Sequence, residues 1–199
     1  MSYHLYQTEA FVLDERPFGE ANKVYYLLTP DLGLVMASAQ GIRLLKSKLR
    51  FHMNKYSYVK IVLVRGKETW RLIGSEKIRE YKNVYANSDK LQYASKIFFL
   101  LQRFIHGETP QKLLFEDLKK SLACLDKLDL PLTSRKLLSA WEQVTVLRIL
   151  HFLGYIKDIP KLAPFIVFDL WTESILKEVS INQGFLVGII NEAIEISHI

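Results

Sequence analysis

The residues most able to do chemistry lie in one short run, Gly41-Ile42-Arg43-Leu44-Leu45-Lys46-Ser47-Lys48-Leu49-Arg50. Four cations, Arg43, Lys46, Lys48 and Arg50, fall within eight positions, with Ser47 among them. Lysine and arginine neutralise backbone phosphates, and a serine hydroxyl can donate to a phosphate oxygen. On a loop, several such groups can converge on one strand of a polyanion. Lys55 and Lys60 extend the track into the next segment. The competing reading is a plain surface loop. Ile42, Leu44, Leu45 and Leu49 speak against full exposure, because some of them must anchor it.

The rest of the chain offers little catalytic chemistry. The histidines at 4, 52, 106, 151 and 198 are never three to five residues apart, and no HExxH or CxxC spacing occurs. No metal site is expected. There is no GxSxG elbow, and Gly66-Lys67 lacks the upstream glycine of a Walker loop. Cys124, the single cysteine, sits in a leucine-rich stretch and reads as a small buried hydrophobe. One thiol excludes an internal disulfide and any four-cysteine zinc site. Asp14-Glu15 and Glu116-Asp117 are adjacent carboxylates that point in different directions in regular structure, so each pair is expected to be solvated. No catalytic residue and no enzyme activity is expected.

The charge is uneven. The net charge is +6 over 199 residues, and most of the excess lies in the first 80. No acidic residue occurs between Asp31 and Glu68, a stretch that also holds Arg65 and Lys67. Such a face suits a polyanion, or simply keeps the protein soluble. Hydrophobic residues make up 49%, enough for one or two cores. The longest apolar run, near Ala163 to Phe168, is far short of a membrane span, and Met1 to Gln7 has no charged-then-apolar leader pattern. A cytoplasmic protein with no membrane partner is expected.

Two kinds of pattern position these residues. Residues 5–78 read as five short strands: one around Ala10 to Leu13 that ends before Pro17, one around Val24 to Leu28, Leu34 to Ala39, Tyr56 to Val64 as the longest, and Thr69 to Ile73. In the last, Trp70 and Leu72 share one face and Arg71 takes the other. Five strands in this length close a small barrel, for which the five-stranded OB-fold is expected and an SH3-like barrel is the rival. After Glu80 the pattern is helical. Ser88 caps a stripe of Leu91, Ala94, Phe98, Leu101 and Ile105 that Gly107 ends. Thr109-Pro110 opens a second helix with Leu114, Leu118, Leu122 and Leu125 on one face. Thr133 or Ser134 opens a third through Leu137, Trp141, Val144 and Leu147 to Gly154. A helix around Thr172 to Val179 and a terminal one from Phe185 to Ile196 follow. The expected class is α+β, with an N-terminal OB-fold barrel over 1–80 and a C-terminal helical bundle over 81–199.

Residues 10–50 resemble the bacterial RecO family of recombinational repair proteins. The matching pieces are Ala10-Phe11-Val12-Leu13, Pro17-Phe18-Gly19-Glu20-Ala21-Asn22-Lys23-Val24, Leu28-Thr29, Gly33, Ala39-Gln40-Gly41-Ile42-Arg43 and Lys46-Ser47-Lys48-Leu49-Arg50. Leu100-Leu101, Gly107-Glu108 and Leu153-Gly154-Tyr155 carry a weaker likeness further on. The resemblance implies an OB-fold that binds single- and double-stranded DNA, strand annealing, and loading of the recombinase RecA onto coated single strands. It implies RecR and the acidic C-terminal tail of the single-stranded-DNA-binding protein as partners, and a nucleoid-associated place in the cytoplasm. Many family members follow Leu-Gly-Tyr with a four-cysteine zinc motif; this chain has none, so no cofactor is expected.

DNA contacts are therefore expected from Arg43, Lys46, Ser47, Lys48, Arg50, Lys55 and Lys60, with Lys23 as added charge. Tyr56, Tyr58, Phe51 and Tyr25 are candidates for base stacking, although aromatics in strands are more often core. Gly41 serves a turn that needs positive φ. In the helical half, Arg103, Arg135, Lys136 and Arg148 could ring a groove for an acidic tail; solvated helix faces are the simpler reading. An OB-fold RNA- or tRNA-binding module and a protein-interaction adaptor remain the alternatives.

Overall fold

The computed structural model describes residues 4–67, 69–128, 135–157, 160–166 and 171–197. The chain divides into two compact units, residues 1–80 with 105–112, and residues 81–104 with 113–199.

The first unit is a closed barrel of β1 (Leu5–Phe18), β2 (Asn22–Thr29), β3 (Gly33–Ala39), β4 (Tyr58–Arg65) and β5 (Trp70–Arg79), in the order β1-β2-β3-β5-β4. β3 meets β5 in parallel through Ala37↔Trp70 and Ser38↔Arg71, and every other pairing is antiparallel. A meander of three strands closed by a parallel β3–β5 contact is the Greek-key order of the OB-fold, which decides against the SH3-like rival. Alternation sends Ala10, Val12, Tyr25, Leu27, Val35, Ala37, Val59, Ile61, Leu63, Trp70 and Leu72 into one core.

Three strand boundaries differ from the sequence reading. β1 is the longest strand at 14 residues and passes through Pro17. Its first half pairs with β4 as far as Phe11 and its second half with β2 as far as Phe18, with a bulge between Val12 and Asp14 where it bends from one partner to the other. Beyond Val12, whose N–H and C=O bond to Ser57 and Tyr56, the β1 register continues only with β2, so the missing proline N–H can fall on the open edge. β4 begins at Tyr58 because Tyr56 lies in a turn at φ +70°. β5 runs on to Arg79, its polar second half pairing with β4 down to Tyr58.

Residues 105–112 complete the barrel unit along the β2–β3 turn. Leu34 N–H donates to Gly107 O at 3.2 Å, and Gln111 N–H donates to Pro30 O at 2.9 Å. Glu108 accepts from Arg65 Nη1 at 2.7 Å and from Trp70 Nε1 at 2.9 Å. Gly33 has φ +64°, and a Cβ there would lie 2.2 Å from Thr109 O. Glycine at 33 thus meets both a left-handed turn and a close backbone approach. Thr109-Pro110 belongs to this packed segment and does not open a helix.

The second unit holds α1 (Lys82–Ala86), α2 (Ser88–Phe104), α3 (Lys112–Lys127, its first residue counted with the barrel), α4 (Arg135–Phe152), α5 (Ala163–Ile166), α6 (Glu173–Ile181) and α7 (Gln183–Ser197). The expected caps at Thr133 or Ser134 lie outside the described residues. Asn87, rather than Ser88, caps α2, its Oδ1 accepting from Lys90 N–H at 3.0 Å, and the helix stops at Phe104, before Gly107. Thr172 caps α6 as its type suggests. α4 is buried along most of its length, from Leu138 to Leu150, and forms the spine of the unit.

Two charges read as solvated are buried here. Arg148 Nη1 pairs with Asp117 Oδ1 at 2.9 Å, with side-chain exposures of 0% and 5%. Arg148 Nε donates to Phe165 O, Trp171 Nε1 donates to Asp117, and the guanidinium lies 4.5 Å from the Trp171 ring centroid. Burial pushes the Asp117 carboxyl above its ordinary value, against the pull of Arg148 and Trp171. The hydrophobic positions around Arg148 belong to a helix buried on several sides, so its pattern gave no warning. Among the described residues no helix is long and apolar enough to cross a membrane.

Candidate nucleic-acid interface

The basic run lies between β3 and β4 as an irregular loop with a 3-10 turn at Leu49–Phe51. Two side chains fix it to the barrel: Ile42 near its start and Met53 near its end, both in the core, with Leu49 packed against them. Fully burying such side chains is worth about 1.5–3 kcal/mol each, enough to hold a polar loop on the surface. Leu44 and Leu45 remain outside, Leu45 at 85% exposure. His52 Nδ1 lies 3.0 Å from Ser75 O and ties the end of the loop to β5.

The start of the loop is braced on the β1–β2 turn. Gly41 has φ +64°, as its role in a turn requires, and its N–H donates to Asn22 Oδ1 at 2.8 Å. Arg43 N–H donates to Ala21 O at 3.0 Å and its Nη1 donates to Gly19 O at 3.1 Å. Arg43 is therefore held in place, with no ion-pair partner among the described residues. Lys46 and Lys48 are exposed, and neither has an ion-pair partner among the described residues. Ser47 N–H closes a turn onto Leu44 O. Arg50 lies 4.7 Å from the ring centroid of Phe51, itself 62% exposed. The loop presents four cations and an open ring, and among the described residues no carboxylate is paired to them.

The outer two lysines are placed differently. Lys55 Nζ is bound to Asp14 Oδ1 at 2.7 Å. That hydrogen bond raises the Lys55 pKa. Burial pushes Asp14 up, but Lys55 and Arg16 outweigh it and hold the carboxyl below its ordinary value. Lys60 faces outward on β4 between two cross-strand carboxylates, opposite Glu9 on β1 and Glu76 on β5. Lys23 pairs with Glu15 at 2.7 Å. Asp14 and Glu15 are thus half-buried and paired, not solvated. Of the stacking candidates, Tyr25 and Tyr58 are buried, Tyr58 stacked on Phe11. Only Phe51 stands well out into solvent.

Some residues suited to a nucleic acid escaped the sequence reading. On the outward face of the barrel, Arg16 lies 5.2 Å from the ring centroid of Tyr26. Arg71 Nη2 donates to Gln40 Oε1 at 2.9 Å. Phe18 stands 62% exposed at the end of β1. The alternation that buries Tyr25 could have turned attention to Tyr26, but only the cross-strand register reveals its neighbours.

Residues 1–81 match the family model described as Recombination protein O N terminal. The barrel unit is similar to the N-terminal domain of RecO proteins. A DNA repair protein RecO of Dehalococcoides mccartyi is 32% identical over 126 residues, covering 62% of this chain and 49% of the relative. That of Rubrobacter xylanophilus is 30% identical over 123 residues, with the same two shares. That of Trichodesmium erythraeum is 26% identical over 160 residues, covering 80% of this chain and 54% of the relative. The chain spans about half the length of these curated relatives.

Proposed function

We propose that this chain is a DNA repair protein that binds single- and double-stranded DNA through the 41–50 loop, largely without sequence preference. One observation carries the reading: on an OB-fold barrel, Lys46 and Lys48 project, with no counter-charge among the described residues, beside Arg43 and Arg50 on a loop anchored at both ends. Phosphate contacts carry no base information, so such a loop accepts any sequence. A cationic surface also offsets the repulsion between two polyanions, which is what annealing of complementary strands needs. Ser47 adds a donor. Lys55, paired with Asp14, and Lys60, off the loop with Glu9 and Glu76 as cross-strand neighbours, contribute second-order charge at most.

The names of the relatives, DNA repair protein RecO, support the repair context. By the same family resemblance the chain works with RecR and the acidic tail of the single-stranded-DNA-binding protein, and through them aids loading of RecA. No catalytic step and no cofactor enter this reading.

The test is annealing of complementary 30-mer DNA strands by the full chain and by a variant with Arg43, Lys46, Lys48 and Arg50 all changed to Glu. Acceleration by the first and none by the second, with the same circular dichroism, is expected. Equal acceleration would move the DNA site off this loop. Preference for RNA over DNA of the same length would favour an RNA-binding module, through 2′-hydroxyl contacts.

A further inference from the structure

We infer that Leu45 is an apolar wedge that enters a weakened base stack in duplex DNA, such as a mismatch, while the cations around it hold the phosphates. This rests on the reading that the 41–50 loop binds DNA, and it gives the loop a preference among duplexes that phosphate contacts alone do not supply.

Two successive turns build the tip. Leu44 N–H donates to Gly41 O at 3.1 Å, and Ser47 N–H donates to Leu44 O at 3.0 Å. The second turn has Leu45 and Lys46 at its two central positions. Leu44 folds back over the first turn: its Cδ1 would lie 3.4 Å from a Cβ at Gly41. Leu45 does the opposite. At 85% it is the most exposed large hydrophobic side chain among the described residues. Turn centres favour glycine, proline, asparagine, aspartate and serine, each of which eases the bend. Leucine does not ease it, and anchoring does not explain it, because Ile42 and Met53 already hold the loop to the core. The base of the tip is fixed. Arg43 N–H is bonded to Ala21 O at 3.0 Å and its Nη1 to Gly19 O at 3.1 Å.

Charge and shape name the occupant. Leu45 stands between Arg43 and Lys46, with Lys48 two positions further on. An apolar side chain set among cations suits a ligand that is anionic outside and apolar within, and duplex DNA carries its phosphates and its stacked bases in that order. Leucine is one of the side chains that enter base steps, unstack them and kink the duplex. Burying one leucine gains about as much as opening one step costs, so the two effects cancel at an intact step. Where a mismatch has already weakened the stack, the opening cost falls and insertion is favoured. A flexible single strand presents no fixed step to enter, so its binding is left to the cations.

The experiment measures binding of the full chain to two short duplexes that differ by one central mismatch, with 2-aminopurine beside it to report unstacking, and to a single strand of the same length. The wild type should bind the mismatched duplex at least about fivefold tighter than the paired one, a part of what burying one leucine is worth, and the 2-aminopurine should brighten. Leu45→Asn, with a residue suited to a turn centre, should bring the ratio close to one and abolish the brightening. Its affinity for the paired duplex and the single strand should be unchanged, and Leu45→Met should keep both effects. A ratio that survives Leu45→Asn would give the preference another source and overturn the wedge. If the wild type binds both duplexes equally while the Glu variant of the loop binds neither, the wedge is overturned and the DNA reading stands. If the wild type binds none of the three at low salt, the DNA reading falls and the wedge with it. Leu45-dependent binding to anionic lipid vesicles, with no mismatch preference, would make the tip a membrane contact and overturn the inference.

Discussion

Removing Lys46 and Lys48, which have no counter-charge among the described residues, should flatten the salt dependence of DNA binding by a calculable amount. Each phosphate neutralised on a single strand contributes about −0.7 to the slope of log affinity against log salt. The four loop cations together give about −2.8, so raising salt from 50 to 200 mM should weaken their contribution about 50-fold. Lys46→Gln with Lys48→Gln leaves about −1.4, a loss of about sevenfold over the same range. Any contribution from Arg16 and Arg71 is common to both proteins, so the difference of about 1.4 in slope survives it. Lys55→Gln and Lys60→Gln are the controls. Lys55 is bound to Asp14 at 2.7 Å and so releases no counter-ion when DNA arrives, and Lys60 stands off the loop on β4 with Glu9 and Glu76 as its cross-strand neighbours, so the slope should hold. Anisotropy of a labelled 30-mer at five salt concentrations reads all four proteins. Equal slopes for the wild type and the Lys46/Lys48 variant, or a flattened slope for the Lys60 variant, would refute the reasoning.

Three further outcomes follow from the packing. Burial pushes the Glu108 carboxyl up, but its bonds from Arg65 and Trp70 and the Arg65 charge outweigh that and hold it below its ordinary 4.5. Its stabilisation is therefore present above pH 4.5 and is lost as pH falls through the lower folded value; Glu108→Gln should melt earlier than the wild type at pH 7, with the gap closing in acid. Gly33→Ala should lower the unfolding free energy by at least about 2 kcal/mol in urea titration, combining left-handed strain of about 1–2 kcal/mol with the clash against Thr109 O. Gly19→Ala, at φ +62° in open space, should cost only the strain, so equal losses would contradict the close approach. Arg148→Met should cost about 3–5 kcal/mol by leaving the buried Asp117 carboxylate without its counter-charge, and adding Asp117→Asn should recover part of it.

The barrel was legible because alternation in a half-buried strand is a strong local signal. Trp70 and Leu72 face the core and Arg71 faces out as that pattern requires. Strand ends were not legible, because Pro17 and Tyr56 depend on which edge is paired and on a turn that only the closed barrel imposes. Thr109-Pro110 looks like a helix start by residue type, yet its backbone is drawn to the β2–β3 turn, a contact between residues some 75 positions apart. The cationic loop was visible as composition. That Lys55 is paired with Asp14, and that Lys60 has Glu9 and Glu76 as strand neighbours, was not, since the fold brings these residues together. Arg16 beside Tyr26 was hidden for the same reason: neither residue is unusual until β1 is laid against β2.

The central claim, that DNA lies on the loop face of the barrel, is tested most directly by site-specific photocrosslinking. A benzophenone amino acid replaces Leu45, 85% exposed in the loop, or Phe99, 62% exposed on α2. Irradiation with a labelled single strand should join DNA to the chain through position 45 and not through position 99. Crosslinking at 99 with none at 45 would contradict the account.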